Sequence, residues 1–280
     1  MSFKKFKACL TATIAMLAVL VTTAVFAAAE GTIDWGNGTI QVTGNGVGKA
    51  KYKNSSPGQY RLTARQAARM DAQRKLAEYV NGVHVTGSSS MSDLALEDDK
   101  VATVLQGVVL KNALEVGDPK FFEDGTCEVK MELRLYGGGG SLSEAAYLPF
   151  KDEPKVDFPK PSVNVPTVAN NYTGLIIDCR GKNINPVMSP VIKNANGQAI
   201  YGHQNLNYDK IIVNGMASYA NDVNDQISRS RAGSNPIVVQ ATGLDDLNAN
   251  PVISVADADK ILAANQQSKF LENCAVVFVK

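Results

Sequence analysis

Small apolar residues recur at every third or fourth position between Leu62 and Val80, and this is the strongest periodic pattern in the chain. Most of them are alanines, while basic side chains cover the other side of the segment. The spacing predicts an amphipathic helix over residues 62–80, with Thr63 as its N-cap and Gly82 at its end. Because alanines add little bulk, we expect the helix to lie close against a sheet.

Shorter apolar runs predict strands before and after this helix. Ile40 and Val42 lead into Gly44-Asn45-Gly46-Val47-Gly48, which indicates a strand with a close backbone approach or a bulge. The segments after the helix are predicted to be a strand, a helix and two antiparallel strands, over residues 83–91, 94–105, 108–116 and 126–135. This order predicts an α+β sandwich with helices on one face of a mainly antiparallel sheet.

The second half of the chain alternates buried-strand patterns with turn and helix signals. Asn196-Gly197 is a strong hairpin signal between two short apolar runs, and residues 256–265 are predicted to be helical with Ser254 as the cap. The strands predicted here are residues 174–179, 187–193, 198–201, 211–213, 237–241 and 275–279. Together they predict a second α/β unit that is mixed rather than purely parallel.

A segment rich in glycine and proline separates the two halves. It starts at the four glycines 137–140 and carries five prolines before residue 171, a composition that opposes both helix and sheet interiors. We expect its part over residues 156–168 to be extended and to pack on a domain surface. The predicted organisation is a signal peptide over residues 1–29, an α+β domain over 30–137, a linker over 138–171 and a C-terminal α/β domain over 172–280.

The first 29 residues have the layout of a cleavable secretory signal peptide. Lysines at positions 4, 5 and 7 precede an uncharged apolar core, which ends in three alanines before Glu30. Cleavage is expected after Ala27 or Ala29, and the alternative is a transmembrane anchor. Cys9 precedes the apolar core, so no lipid anchor is expected. The mature chain is therefore expected in the periplasm or at the cell surface, without a stable membrane anchor.

The charge of the mature chain narrows the expected partners. Removing the three lysines of the signal leaves 25 basic and 27 acidic residues, a net charge of −2, which gives no reason to expect nucleic acid as a partner.

Three cysteines remain in the mature chain, so a fully disulfide-paired framework is excluded. Cys179 and Cys274 both lie on strand-like segments and could form one disulfide. The alternative is that both, with Cys127, are buried thiols.

The chain contains no recognisable catalytic motif. His84 is expected on the exposed face of a sheet, and His203 lies in a loop without a neighbouring metal ligand, so neither a zinc site nor a cofactor is expected. Asp178-Cys179-Arg180-Gly181 follows a predicted strand, and Asp178 and Arg180 are either ligand-binding residues or an ion-paired turn. The basic face between Arg61 and Lys75 either meets an acidic partner or faces solvent.

Several motifs between Val42 and Leu135 together resemble the Lpp-twenty lipoprotein family. That family includes the N-terminal domain of flagellar assembly protein T. The motifs are the glycine run at 44–48, Ala-Arg-Gln-Ala-Ala at 64–68, Val-Asn-Gly-Val at 80–83 and Asp124-Gly125 followed by Val129. The resemblance implies a non-catalytic interaction module that binds envelope or appendage proteins. The chain departs from the lipoproteins because it lacks a cysteine at the end of its signal.

These observations favour an exported, non-enzymatic protein of the cell envelope that binds other proteins or copies of itself. The flagellar association comes from the family resemblance alone. The alternative is a small-molecule or glycan-binding module that uses Asp178 and Arg180 of the second domain. An enzyme is the least favoured class, because no set of titratable residues suggests a mechanism.

Overall fold

The computed structural model describes residues 31–49, 56–163 and 171–280. The predicted signal peptide lies outside the described residues, as do positions 164–170 of the predicted linker. Residues 31–280 form one compact unit. No helix in the described ranges is both long enough and apolar enough to cross a membrane.

The first half of the chain builds a five-stranded antiparallel sheet in the order β1-β2-β5-β3, with β4 also paired to β5. Its strands are β1 (Gly31–Asp34), β2 (Thr39–Val47), β3 (Leu114–Glu115), β4 (Lys120–Phe121) and β5 (Thr126–Arg134). β2 and β5 pair from Thr39 to Val47 without a register shift. Of the two interpretations of the glycine run, the bulge is therefore wrong.

Helix α1 (Pro57–Asn81) lies directly on β2 and β5. A Cβ atom on Gly44 would lie 2.2 Å from the carbonyl oxygen of Ala68, and one on Gly46 would lie 2.1 Å from the Ala68 nitrogen. The predicted close approach of helix and sheet is thus confirmed, since only glycine fits beneath the helix. The residues of α1 that are buried against the sheet are Ala64, Ala68, Ala72, Leu76 and Val80.

Helix α1 begins six residues before the predicted N-cap. Ser56 is the N-cap, with its Oγ accepting from the Gln59 N–H at 3.3 Å while Gln59 Oε1 accepts from the Ser56 N–H at 2.9 Å. This reciprocal pair is a capping box, and Pro57 occupies the first helical position. Thr63 is inside the helix, where its hydroxyl donates to the Gln59 carbonyl, so its prediction as the cap was wrong. Gly82 ends the helix as predicted.

Two further helices, α2 (Met91–Glu97) and α3 (Asp99–Asn112), replace parts of the predicted strands. Residues 83–91 form only an isolated bridge between His84 and Ser90, and residues 108–112 complete α3. The strand prediction for residues 83–91 was wrong, and the prediction for residues 108–116 is confirmed only at β3. In α3, Val101, Leu105 and Val108 are buried on one face, and this spacing has the period of a helix rather than of a strand.

The part of the predicted linker that the structure describes makes contacts with the rest of the molecule. It contains the short helix α4 (Leu142–Ala146), whose Leu142, Ala145 and Ala146 are buried. The expected extended segment is confirmed for its described part: the Val156 N–H donates to the Gln204 carbonyl at 2.8 Å. Further along, Ser162 donates to the buried Asp259 from its N–H at 2.7 Å and from its Oγ at 2.5 Å.

The second half contains two four-stranded sheets. The first is entirely parallel, in the order β10-β6-β13-β9, and the second is mixed, in the order β11-β12-β7-β8. The strands are β6 (Gly174–Asp178), β7 (Ile192–Asn194), β8 (Ala199–Tyr201), β9 (Ser218–Ala220), β10 (Pro236–Gln240), β11 (Gly243–Asp245), β12 (Asn250–Ile253) and β13 (Val276–Val279). The unit as a whole is mixed, as predicted.

Helices α5 (Tyr208–Asn214), α6 (Gln226–Ala232) and α7 (Val255–Ser268) complete the second half. Residues 211–213 lie within α5, so their prediction as a strand was wrong. Asn207 caps the start of α5, and Gly215, at φ 69°, ends it. Ser254 caps α7 as predicted. The α+β fold class, with an antiparallel first part and a mixed second part, is confirmed.

Candidate functional site

Asp178 and Arg180 lie at the carboxyl edge of the parallel sheet, where ligands commonly bind in open α/β folds. Arg180 donates from Nε to Asp178 Oδ1 at 2.9 Å and from Nη2 to Asp178 Oδ2 at 2.7 Å. Its Nη1 donates to Asp222 Oδ2 at 3.2 Å. The structure therefore brings the two predicted residues together and adds Asp222, which the sequence pattern did not suggest.

This arrangement favours the interpretation as an ion-paired turn. Hydrogen bonds from the Arg180 guanidinium lower the pKa of Asp178, in spite of its partial burial. The same contacts raise the pKa of Arg180. Since two carboxylates already occupy the guanidinium fork, little of its charge and few of its donors remain for a ligand.

Cys179 and Cys274 are free, buried thiols, as is Cys127. Cys179 follows the end of β6, whereas Cys274 precedes β13, and these parallel strands pair Leu175 with Val276. The two cysteines thus lie at opposite ends of the sheet, roughly 15–20 Å apart at the usual rise of about 3.3 Å per residue. The disulfide interpretation is therefore wrong, because a bridge requires Cα atoms within about 7 Å.

The structure places the two histidines in different surroundings. His84 is exposed, as predicted. The His203 ring stacks on the Phe150 ring with centroids 4.1 Å apart, and its Nε2 lies 3.2 Å from Glu153 Oε2. Within the described residues, no group of three or more His, Cys, Asp or Glu side chains is arranged to hold a metal ion.

The basic face of α1 is largely paired with acidic residues of the first half of the chain. Arg65 lies 2.7 Å from Glu115, which also attracts Arg69, and Arg74 lies between Asp71 and Glu78. These contacts neutralise most of the charge that the sequence places on this face. The solvent-facing interpretation of the basic face is therefore favoured over an acidic partner.

Two side chains of α1 cover the open edge of β2. Strand β1 pairs with β2 only as far as Val42. Beyond that point, the Asn45 N–H donates to Asp71 Oδ2 at 3.0 Å, and Lys75 Nζ donates to the Thr43 carbonyl at 2.9 Å. Burial opposes ionisation of Asp71, but the Asn45, Arg74 and Lys75 contacts outweigh it and lower the pKa of this carboxyl.

Four large apolar side chains are exposed near one end of the antiparallel sheet and at the start of α1. We call Val47, Tyr60, Phe121 and Phe122 the apolar end; their exposed fractions are 58, 41, 41 and 50%. Val47 and Phe121 pair with the adjacent residues Thr126 and Cys127 of β5. The guanidinium of Arg61 lies 5.5 Å from the centre of the Phe121 ring.

The apolar end was not predicted from the sequence, although a signal for it exists. Phe121 and Phe122 are consecutive and precede the Glu123-Asp124-Gly125 turn. Because consecutive side chains of a strand point to opposite faces, the two rings cannot both enter the core. An aromatic doublet on a short edge strand therefore indicates at least one exposed ring.

Comparison with known proteins gives a match for the second half of the chain. A comparison with curated proteins found no match. The resemblance of residues 42–135 to the Lpp-twenty family stays a prediction. Residues 174–280, which hold the parallel sheet, the mixed sheet and Asp178 with Arg180, match a family model described as Treponema pallidum Tp0624, second domain. In its second half the chain is therefore similar to that domain.

Proposed function

We propose that the mature chain is an exported, non-enzymatic module of the cell envelope that binds another protein through the apolar end. The exposure of two adjacent phenylalanines, Phe121 and Phe122, is the observation that carries this proposal. Aromatic side chains are enriched in the centres of protein interfaces, whereas water exposure leaves their apolar area unfavourably solvated.

The surroundings of the apolar end suit a protein partner. Val47 of β2 and Tyr60 of α1 are further exposed apolar side chains in this part of the molecule. Arg61, which makes no ion pair among the described residues, supplies a polar rim. An apolar centre with an arginine beside it is the composition that interface hot spots favour.

The candidate ligand site of the second domain gives weaker support to the alternative function. Arg180 is already held by Asp178 and Asp222, so a small molecule or glycan would have to displace an existing ion pair. The same contacts support the non-enzymatic proposal, because Asp178, Arg180 and Asp222 are bound to one another and are not free to exchange protons with a substrate.

The family resemblance over residues 42–135 supports an envelope or appendage protein as the partner, and a second copy of the chain is the other candidate. Either partner would have to present an apolar surface to the exposed phenylalanine rings. Export supplies the setting, and it rests on the signal-like pattern of residues 1–29.

Site-specific photocrosslinking in cells tests this proposal. A photoreactive phenylalanine analogue replaces Phe122 in one variant and Leu247, which is more exposed than Phe122 (70 against 50%), in the control. We expect discrete adducts from position 122 and none from position 247, with twice the chain mass if the partner is a second copy. Absence of adducts at position 122, or the same adducts at both positions, would contradict the proposal.

A further inference from the structure

A cavity of about 200 Å³ lies where the end of α3, strand β3, the end of β5 and the glycine loop 137–140 meet. It is smaller than the cavities of about 300–1,000 Å³ that enclose drug-sized ligands. Its polar lining includes Lys111, Asn112, Arg134, Tyr136, Gly139 and Ser141.

The glycine loop that borders the cavity is fixed in position. Gly137, Gly138 and Gly140 have φ values of 126°, 90° and 88°, which side-chain-bearing residues rarely adopt. The N–H groups of Gly137 and Gly138 donate to the Ile212 carbonyl at 3.2 and 3.1 Å. The cavity is therefore preformed, and a ligand would not have to order the loop on binding.

Lys111 and Arg134 bring two positive charges to this cavity. Neither makes an ion pair with any residue in the described ranges, and no carboxylate lines the cavity. Of the nearest acids along the chain, Glu115 pairs with Arg65, Glu132 accepts from Gln41, and Glu144 accepts from the Gly140 N–H. None of the three forms an ion pair with Lys111 or Arg134 in the described structure.

Two neutral donors add to these charges. Among the described residues, neither the Asn112 side-chain amide nor the Gly139 N–H donates a hydrogen bond. Four donor groups without an acceptor therefore border one small cavity. Groups of this kind are satisfied together by an oxyanion, which offers several lone pairs at once.

We infer that this cavity binds the phosphate or carboxylate group of a small molecule. The Arg134 guanidinium matches either oxyanion through its fork of N–H groups, and Lys111 adds a second cation. The site is separate from the apolar end and from the Asp178–Arg180 pair, so it does not depend on the proposed protein partner.

Calorimetric titration of the full mature chain tests the inference, with total ionic strength held constant by NaCl. The probes are inorganic phosphate, glucose 1-phosphate and succinate, which separate phosphate from carboxylate recognition. We expect saturable binding of at least one probe. Arg134→Gln and Lys111→Gln should each weaken it about tenfold, the loss expected for one charge-assisted hydrogen bond.

Lys130→Gln is the matched control, because Lys130 lies four residues from Arg134 on the same face of β5 and makes no ion pair in the described structure. The affinity of Lys130→Gln for the same probe should stay within about twofold of the wild-type affinity. Lack of saturable binding for all three probes would overturn the inference. So would equal weakening by all three glutamine variants, which would indicate non-specific attraction.

A second pair of variants tests the site even if the charge variants fail to fold. No atom lies within 4 Å of a Cβ built on Gly139, whose φ is not positive, so Gly139→Ala and Gly139→Asp are both accommodated. The aspartate would place a negative charge beside Lys111 and Arg134. We expect Gly139→Asp to abolish binding and Gly139→Ala to retain it; retention of binding by both would overturn the site assignment.

Discussion

The hydroxyl of Tyr147 donates a hydrogen bond to the carbonyl oxygen of Met188 at 2.6 Å, and both residues are fully buried. Tyr147 follows α4 in the glycine- and proline-rich segment, whereas Met188 belongs to the second half of the chain. The Met188 N–H in turn donates to the His84 carbonyl at 3.1 Å. Hydrogen bonds to Met188 thus join residues from three regions of the sequence.

We expect Tyr147→Phe to reduce the free energy of unfolding by about 1–3 kcal/mol, because it leaves the buried Met188 carbonyl without its donor. The midpoint of urea denaturation measures this change. Tyr60→Phe is the control, since Tyr60 is 41% exposed and its hydroxyl makes no hydrogen bond in the described structure. Equal midpoints for the two variants would show that the buried hydrogen bond contributes nothing measurable.

The contact between β2 and α1 can be tested at Gly46. A methyl group there would lie 2.1 Å from the Ala68 nitrogen, so Gly46→Ala must push the helix from the sheet. We expect a loss of about 3 kcal/mol or more. Gly107→Ala, in the interior of α3 with no atom within 4 Å, should instead stabilise by up to about 1 kcal/mol. Thermal unfolding of both variants measures the contrast.

The predictions from sequence succeeded where one local signal agreed with the packing. The alanine stripe of α1 predicted a helix close against a sheet, and the helix meets the sheet at the glycines of β2. The predicted N-cap, Thr63, was wrong, although Ser56, Pro57 and Gln59 carry the signature of a capping box. The strand prediction for residues 211–213 was wrong because a short apolar run does not distinguish a strand from a buried helical turn.

The candidate site was less predictable than the fold. The pairing of Asp178 with Arg180 follows from their proximity in the chain, but Asp222 joins them only through the packing of β9 beside β13. Likewise, the opposite positions of Cys179 and Cys274 depend on the register of parallel strands. Contacts of this kind are set by tertiary topology, which no local pattern carries.

Removal of the Asp71 carboxylate should open the edge of β2. Asp71→Ala leaves the Asn45 N–H without its acceptor, and we expect a loss of about 1–2 kcal/mol together with concentration-dependent self-association in sedimentation velocity. Since the pKa of Asp71 is lowered, this stabilisation is present above the ordinary carboxyl pKa of 3.8 and is lost as the pH falls through the lower folded value.

Glu78→Ala is the control for Asp71→Ala, because Glu78 contacts Arg74 on the same helix but is 54% exposed and touches no strand edge. It should remain monomeric and change stability by less than about 0.5 kcal/mol. Self-association of both variants, or of neither, would argue that Asp71 does not protect this edge.

Stability should fall in alkaline solution. Burial raises the pKa of Cys179 to about 12 and raises the pKa values of Tyr201 and Tyr219 as well. Above the ordinary values of 9.0 for the thiol and 10.0 for the phenols, the unfolded chain releases protons that the folded chain retains. The free energy of unfolding therefore decreases as the pH rises.

Urea midpoints measured between about pH 8 and about pH 10.5 check this dependence. Cys179→Ala should be less stable than wild type at pH 8 but should show a shallower fall between pH 9 and 10. An identical slope for the two proteins would exclude the Cys179 thiol as a contributor.

Export can be tested through the mass of the mature chain. Expression in a bacterial host with a secretory pathway should yield a product that begins after Ala27 or Ala29, which intact-mass spectrometry resolves. Substituting arginine for Ala27 and Ala29 together should block processing. Recovery of the uncleaved chain in the membrane fraction from the wild-type sequence would instead support the transmembrane-anchor alternative.

The separation of Cys179 from Cys274 by the length of a parallel sheet has a consequence for the folding environment. With its three described cysteines free and buried, the folded chain needs neither an oxidant nor a disulfide isomerase to reach its native state. The same native structure should therefore form in a reducing compartment and in an oxidising one.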